Sequence, residues 1–168
     1  MGEYMISIIA AIGINNELGK NDQLIWNIPK DLKYFREKTF NSFVVMGRKT
    51  FNSLPKLLPG RKHIVFTSIS DFNKSIDSDV IVINNKDELI RICKKISLEE
   101  EIFIIGGAKL YEMFIDIADK LYITHIEESD RDADIYFPEI DKEKWKKKIL
   151  ANDEDNNIKF SFVEYTRV

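Results

Sequence analysis

"IFIIGGAKLYEMF" (residues 102–114) decides the fold. Its first four residues are an unbroken apolar run, which reads as a strand covered on both faces. Two adjacent glycines follow. Helical spacing then sets in, predicted over 107–118, with Leu110, Tyr111, Phe114, Ile115 and Ala118 on one side and Lys109, Glu112 and Asp116 mostly elsewhere. A buried strand, a glycine turn and an amphipathic helix in direct succession form the repeating unit of a parallel sheet with helical crossovers.

Working outward, four more continuous apolar runs stand at 5–12 ("MISIIAAI"), 43–46 ("FVVM"), 63–66 ("HIVF") and 80–83 ("VIVI"). Helical patterns lie between them at 30–39, 49–55 and 86–97. This alternation predicts βαβ units with right-handed crossovers. Beyond them, "KLYITHI" (120–126) and "IKFSFVEYT" (158–166) read as strands, the second alternating Ile158, Phe160 and Phe162 with polar neighbours. The intervening "EESDRDADIYFPEIDKE" is acidic and turn-rich, which predicts a surface loop. The expectation is a single α/β domain over 1–168. Its central mixed sheet, mostly parallel and of about eight strands with four flanking helices, ends in an antiparallel C-terminal hairpin.

Composition sets the outer bounds. At 168 residues, with 44% hydrophobic and 32% charged side chains, the chain is an ordinary globular sequence able to bury a core. A net charge of −3 argues against binding nucleic acid by neutralising phosphates. The lone Cys93 falls in the helical pattern Leu89, Ile92, Cys93, Ile96 and is expected in the core. His63 and His125 lack a second His or Cys at ligand spacing, so no metal is expected. No apolar run approaches membrane length and no basic-then-apolar leader opens the chain, so the expected compartment is the cytoplasm, with no membrane partner.

Several motifs point to chemistry. In "LIWNIPKDLKYF" (24–35) a helix numbered from Pro29 places Asp31 among Leu32, Tyr34 and Phe35, with Lys30, Lys33, Arg36 and Glu37 on the far side. A carboxylate on an apolar face is costly unless it protonates or finds a partner. "VVMGRKTF" (44–51) runs a buried strand into Gly47, Arg48, Lys49 and Thr50, a plausible phosphate cradle; with Ser42 in place of a glycine it is no Walker loop. Gly106 and Gly107 repeat the arrangement, and Leu110 excludes the full dinucleotide-binding glycine pattern. Two such turns at the carboxyl edge of one parallel sheet suit a ligand carrying several phosphates. In "LPGRKHIVF" (58–66), Arg61 opens a strand after a Pro-Gly turn and, read alone, is an exposed arginine. "GINNELGKNDQL" (13–24) is a long polar loop of the kind that serves as a lid, and it ends near Trp26.

Taken together, "ISIIAAI", "LIWNIPKDLKYF", "VVMGRKTF", "LPGRKHIVFTS", "IIGGAKLYEMF", "LYITHI" and "DADIYFP" resemble the bacterial-type dihydrofolate reductases in order and spacing, from Met5 to the C-terminal hairpin. Residues 1–4 stand before that family's usual start. The resemblance implies NADPH-dependent reduction of 7,8-dihydrofolate to tetrahydrofolate, with hydride delivered to pterin C6 and a proton to N5, in support of one-carbon metabolism and thymidylate synthesis. It implies dihydrofolate and antifolate small molecules as ligands, and a monomer.

The resemblance also assigns residues. Asp31 is implied as the ionisable group of the pterin pocket, accepting two adjacent pterin donors and promoting N5 protonation. Thr124 is implied as its hydrogen-bond partner. Gly19, Leu24 and Trp26 match a mobile loop that closes over the nicotinamide, and Asp134 matches an acid that holds that loop. Ile9 and Ile105 are implied to offer backbone carbonyls, with Ala10 and Ala11 alongside. Leu32, Phe35, Leu54 and Leu58 are implied to enclose the pterin and benzoyl rings, and Arg61 to pair with the substrate's α-carboxylate. On the cofactor side, Gly106, Gly107, Ala108, Lys109 and Leu110 are implied at the pyrophosphate, and Tyr111, Ala11 and Leu18 near the nicotinamide. Gly47, Arg48, Lys49, Thr50, Thr67 and Ser68 are implied on the adenosine side, where Arg48 by a 2′-phosphate favours NADPH. Ile25 departs from the family's common Pro before the tryptophan, and Asn52 from a common glutamate. Two rival readings remain: a ribosylaminopyrimidine reductase on the same fold, and a catalytically inactive NADPH-binding module. Activity on dihydrofolate separates all three.

Overall fold

The apolar runs become strands of one eight-stranded sheet. The computed structural model describes residues 5–21, 23–68 and 80–168. The expectation about residues 1–4 lies outside them. In chain order the elements are β1 (Ile6–Ile12), β2 (Glu17–Lys20), β3 (Gln23–Leu24), α1 (Pro29–Thr39), β4 (Phe43–Gly47), α2 (Arg48–Ser53), β5 (Lys62–Phe66) and β6 (Val80–Ile83). There follow α3 (Lys86–Ile96), β7 (Ile102–Gly106), α4 (Ala108–Phe114), β8 (Lys120–Ile126), β9 (Ile135–Tyr136), β10 (Trp145–Asp155) and β11 (Ile158–Arg167).

The sheet order is β10-β11-β8-β1-β7-β4-β5-β6. The six strands from β8 to β6 run parallel, and β11 pairs antiparallel with both β8 and β10. Central strands are apolar at consecutive positions because both faces are covered: Ile8, Val44, Val45, Met46, Ile64, Val65, Ile102 and Ile104 are all 0% exposed. Helices α3 and α4 cover one face with Leu89, Cys93, Leu110 and Phe114. Burial pushes the Cys93 thiol up to about 12.

The structure differs from the sequence reading in several places. The C-terminal hairpin is β10 with β11, whereas "KLYITHI" (β8) lies inside the sheet, parallel to β1. β10 escaped detection because it is exposed along almost its whole length after Trp145, so it carries no apolar alternation. The 13–24 segment is not all loop: β2 joins β3 and β9 in a second, three-stranded sheet. α4 stops at Phe114, the chain continuing in tight turns through Ala118. "VIVI" forms an edge strand, and Ile81 and Val82 are exposed on it.

Two pairings place the site. Met46 at the end of β4 pairs with Gly106 at the end of β7, so the two glycine turns abut. Ala11 near the end of β1 pairs with Thr124 on β8, beside the start of α1.

Candidate active site

The first turn of α1 has no side-chain cap of its own, since Ile28 occupies the cap position and Pro29 begins the helix. The tip of the β10–β11 hairpin supplies one instead. Asp155 Oδ2 accepts the Lys30 N–H at 2.9 Å, Lys30 Nζ reaches Asp153 Oδ1 at 3.0 Å, and Asn156 Nδ2 donates to the Asn27 carbonyl at 3.2 Å. A carboxylate at a helix start satisfies an orphan donor and complements the dipole. The next residue is Asp31, its N–H bound to the Ile28 carbonyl at 3.0 Å.

Asp31 is half-buried, and Thr124 Oγ1 donates to its Oδ1 at 2.6 Å. Burial raises the Asp31 carboxyl above its ordinary range, and the Thr124 bond offsets part of that rise. One turn on, Tyr34 stacks on Phe162 with ring centres 4.1 Å apart. Its buried hydroxyl makes no hydrogen bond among the described residues. Burial pushes that phenol up, with Tyr122, Glu164 and Asp31 adding to the effect.

A second apolar cluster forms around β4 and β5. Leu54, Leu58, Phe51 and Ile105 pack on Val44, Met46 and Val65. Phe35 is half-buried and Leu32 is 48% exposed, so the apolar side of α1 stays partly open and does not join the main core. Ile9 is buried, and its carbonyl accepts the Tyr111 hydroxyl at 2.9 Å. Ala10 and Ala11 are half-buried beside it.

Arg61 is held against the C-terminal end of α1. Its Nε donates to Thr39 Oγ1 at 3.2 Å, its two terminal nitrogens donate to the Pro59 and Arg36 carbonyls, and it lies 5.6 Å from the Phe40 ring centre. None of these partners is a carboxylate. Burial, then the neighbouring Arg36, lowers its affinity for a proton.

The glycine turns leave a strip of accessible backbone. A Cβ at Gly47 would approach nothing closer than the Gly107 nitrogen at 4.0 Å, and one at Gly107 nothing closer than Thr50 Oγ1 at 4.0 Å. Gly106 has φ +118, in the region that favours glycine, and the Gly106–Gly107 peptide is cis. Ala108 and Arg48 are half-buried at this strip, Lys49 and Lys109 are exposed, Thr67 is buried and Ser68 is exposed. Leu110 points the other way, into the main core, and its N–H already bonds Gly107.

The 17–24 segment is tied down by the later loop. The Asp134 N–H donates to the Gly19 carbonyl at 3.1 Å, and its Oδ2 accepts the Asn21 N–H at 3.0 Å. Leu18 packs on the main core. Trp26 packs with Ile28, Ile126 and Phe160, whereas Leu24 is 83% exposed and the structure does not bring it to Asp31. Both histidines have partners within the fold. His63 Nε2 accepts the Leu58 N–H at 3.0 Å, and His125 lies 2.7 Å from the Tyr165 hydroxyl, pushed down to about 4 by burial and then Lys147.

Comparison with known proteins gives the same frame. Residues 5–167 match the family described as dihydrofolate reductase. The chain is 39% identical over 166 residues to the dihydrofolate reductase of Bacillus subtilis, covering 97% of this chain and 95% of that one. The chain belongs to the dihydrofolate reductase family. It is also 34% identical to the Haemophilus influenzae dihydrofolate reductase, with 96% and 98% of the two chains covered. A solved Enterococcus faecalis dihydrofolate reductase, complexed with NADP(H) and RAB-propyl, superposes with a TM-score of 0.83 at 33% identity and covers 98% of this chain and 97% of that one.

Against this dihydrofolate reductase frame, three residues in and around the site escaped sequence reading. Tyr34 carried no polar signal beyond its place on an apolar face. Asp155 ends β10, the strand of the hairpin that showed no pattern in the sequence. Glu17 reads as one more charge in a polar loop, although it is 1% exposed.

Proposed function

We propose that the protein reduces 7,8-dihydrofolate to tetrahydrofolate, with hydride transfer to pterin C6 and protonation at N5. NADPH, when bound, supplies the hydride. The observation that carries the reading is Asp31, half-buried on the apolar face of α1 with Thr124 donating to it, in a chain of this family. Asp31 has one oxygen engaged by Thr124, which leaves acceptor capacity for the paired donors of a pterin edge. Its raised proton affinity suits a group that keeps a proton available near N5, a contribution of about 10²–10⁴ in rate.

Other residues bind and orient. Ile9 and Ile105 carbonyls with Ala10 and Ala11 face the pterin edge. Leu32, Phe35, Leu54 and Leu58 enclose the rings, and Arg61 receives the α-carboxylate. The abutting glycine turns fit a phosphate-bearing cofactor because a Cβ at Gly47 or Gly107 would meet nothing closer than 4.0 Å, which leaves room for a ligand at the backbone. Gly47, Gly106, Gly107, Ala108 and Thr50 would hold it, with Lys109, Thr67 and Ser68 alongside, and Arg48 and Lys49 supplying charge for the 2′-phosphate. Tyr111, Leu18, Gly19, Leu24 and Trp26 would border the nicotinamide end. The whole chain acts as one catalytic domain, a cytoplasmic monomer inhibited by antifolates that donate to Asp31.

The test is the fall in NADPH absorbance when dihydrofolate is added, with NADH run in parallel. Rapid loss with NADPH alone supports both the reaction and the role of Arg48. Equal rates with NADH remove the 2′-phosphate argument. No oxidation by folded protein that still binds NADPH overturns the reading and favours the inactive module or the pyrimidine reductase.

A further inference from the structure

Glu17 is a buried carboxylate that the reaction does not use. It begins β2 with its side chain turned inward, 1% exposed. Its Oε1 accepts the Asn15 N–H at 2.7 Å and its Oε2 accepts the Asp130 N–H at 2.8 Å. Both recorded donors are backbone amides, so a single carboxylate joins the β1–β2 turn to the loop after β8. Parallel backbone bonds complete the junction: the Gly13 N–H to the Glu17 carbonyl at 3.0 Å and the Ile14 N–H to the Glu128 carbonyl at 2.9 Å.

The same carboxylate lies against the site through Gly13. A Cβ on Gly13 would sit 2.5 Å from Glu17 Oε1, 2.5 Å from Trp26 Cη2 and 2.9 Å from the Glu128 carbonyl. The carboxylate, the indole edge and the later loop therefore converge on one missing side chain. Trp26 in turn packs on Ile28, the cap residue of α1, three positions before Asp31.

We propose that Glu17 is a positioning residue. Its carboxylate locks the 13–16 turn against the 127–130 segment and so fixes the seat of the Trp26 indole beside α1. It acts through Trp26 and touches neither substrate nor cofactor. The catalytic part of this proposal rests on the functional reading above, and the structural part stands without it.

The chemistry makes a sharp variant available. Glutamine has the same shape but one carbonyl oxygen and one NH2, so in Glu17→Gln one of the two backbone donors must face another donor. Losing a buried bond to a charged group shifts such an equilibrium on the order of 10- to 100-fold. Gly13→Ala attacks the same junction by contact and leaves both amide bonds chemically possible.

The experiment uses the full chain labelled with 5-fluorotryptophan. It contains two tryptophans, Trp26 and Trp145, and the second lies in the main core under Arg167 as an internal reference. In both variants the Trp26 fluorine resonance is expected to move or broaden while Trp145 stays fixed. Single-turnover hydride transfer from bound NADPH should slow by about tenfold or more. The proposal is overturned if Trp26 keeps its wild-type resonance in both variants. It is overturned equally if both resonances move together, which means general loosening of the fold. Should Glu17→Gln not fold, Gly13→Ala alone carries both readouts. A Trp26 resonance that shifts in the variants, in a protein whose wild type never oxidises NADPH with dihydrofolate, sinks the functional reading and leaves the junction established.

Discussion

Glu17 and Asp31 stand on either side of Trp26 in the chain, and the fold treats the two carboxylates in opposite ways. Glu17 is closed off from solvent and has a backbone donor for each oxygen. Asp31 is half-buried and, among the described residues, has Thr124 as its one side-chain donor, on the helix face that carries the half-buried Phe35 and the exposed Leu32. A carboxylate whose bonds are all made inside the protein is architecture. One that is partly desolvated and short of donors is held for something that arrives.

The largest expected effect breaks this comparison at its reactive end. Asp31→Asn keeps the shape and can still accept from Thr124, but it cannot be ionised or supply a proton. The turnover number kcat should fall by about 10²–10⁴ near neutral pH, with NADPH binding little changed. The same variant should stabilise the free protein. Burial raises the folded carboxyl, so the folded state holds more protons than the unfolded one between the ordinary and the raised values. Stability from this group is therefore full below the ordinary value and is lost as pH rises through the raised one. The melting temperature of Asp31→Asn should exceed wild type at pH 7, and the gap should close in acid. A variant both inactive and less stable at pH 7 would place Asp31 with Glu17 as architecture.

A smaller effect sharpens the comparison by removing Asp31's one donor. Thr124→Val keeps the size of a fully packed β8 side chain and deletes the hydroxyl 2.6 Å from Oδ1. That bond lowers the carboxyl's proton affinity, so its loss should move the inflection of the pH–rate profile upward. Dihydrofolate KM should rise about tenfold, the loss of one bond to a charged acceptor, while kcat falls far less than in Asp31→Asn. A profile with an unmoved inflection would mean that the inflection does not report Asp31.

How much of this was readable in the sequence follows from where each residue's signal lies. The strands β1, β4, β5 and β7 announced themselves because burial on both faces leaves uninterrupted apolar letters. Asp31 was visible for the converse reason, as the one charge on an apolar helical face. Gly47, Gly106 and Gly107 were visible because they stand where a buried strand gives way to a helix. β10 was not, since an edge strand that is wet at nearly every position obeys no burial period, and the register of its hairpin is set by pairing with β11. Glu17 was hidden because its burial comes from segments 127–130 and 13–16 closing around it. No spacing of letters encodes that closure.

Asp155 lies between the two cases and carries the smallest expected effect. It is half-buried, and it lends one oxygen to the Lys30 N–H at the start of α1. Like Glu17 it serves a backbone donor, and like Asp31 it stands at the first turn of α1. Asp155→Ala removes a cap contributed from across the fold, which costs about 0.5–2 kcal/mol and should appear as a lower urea midpoint with an unchanged slope. Asp31 itself keeps its N–H bond to Ile28 and its side-chain bond to Thr124, so kcat should change less than about threefold. If kcat instead falls as far as KM rises in Thr124→Val, the hairpin tip sets the position of the acid. The hairpin would then belong to the catalytic frame together with Glu17, and the division between the closed carboxylate and the waiting one would run through α1 itself.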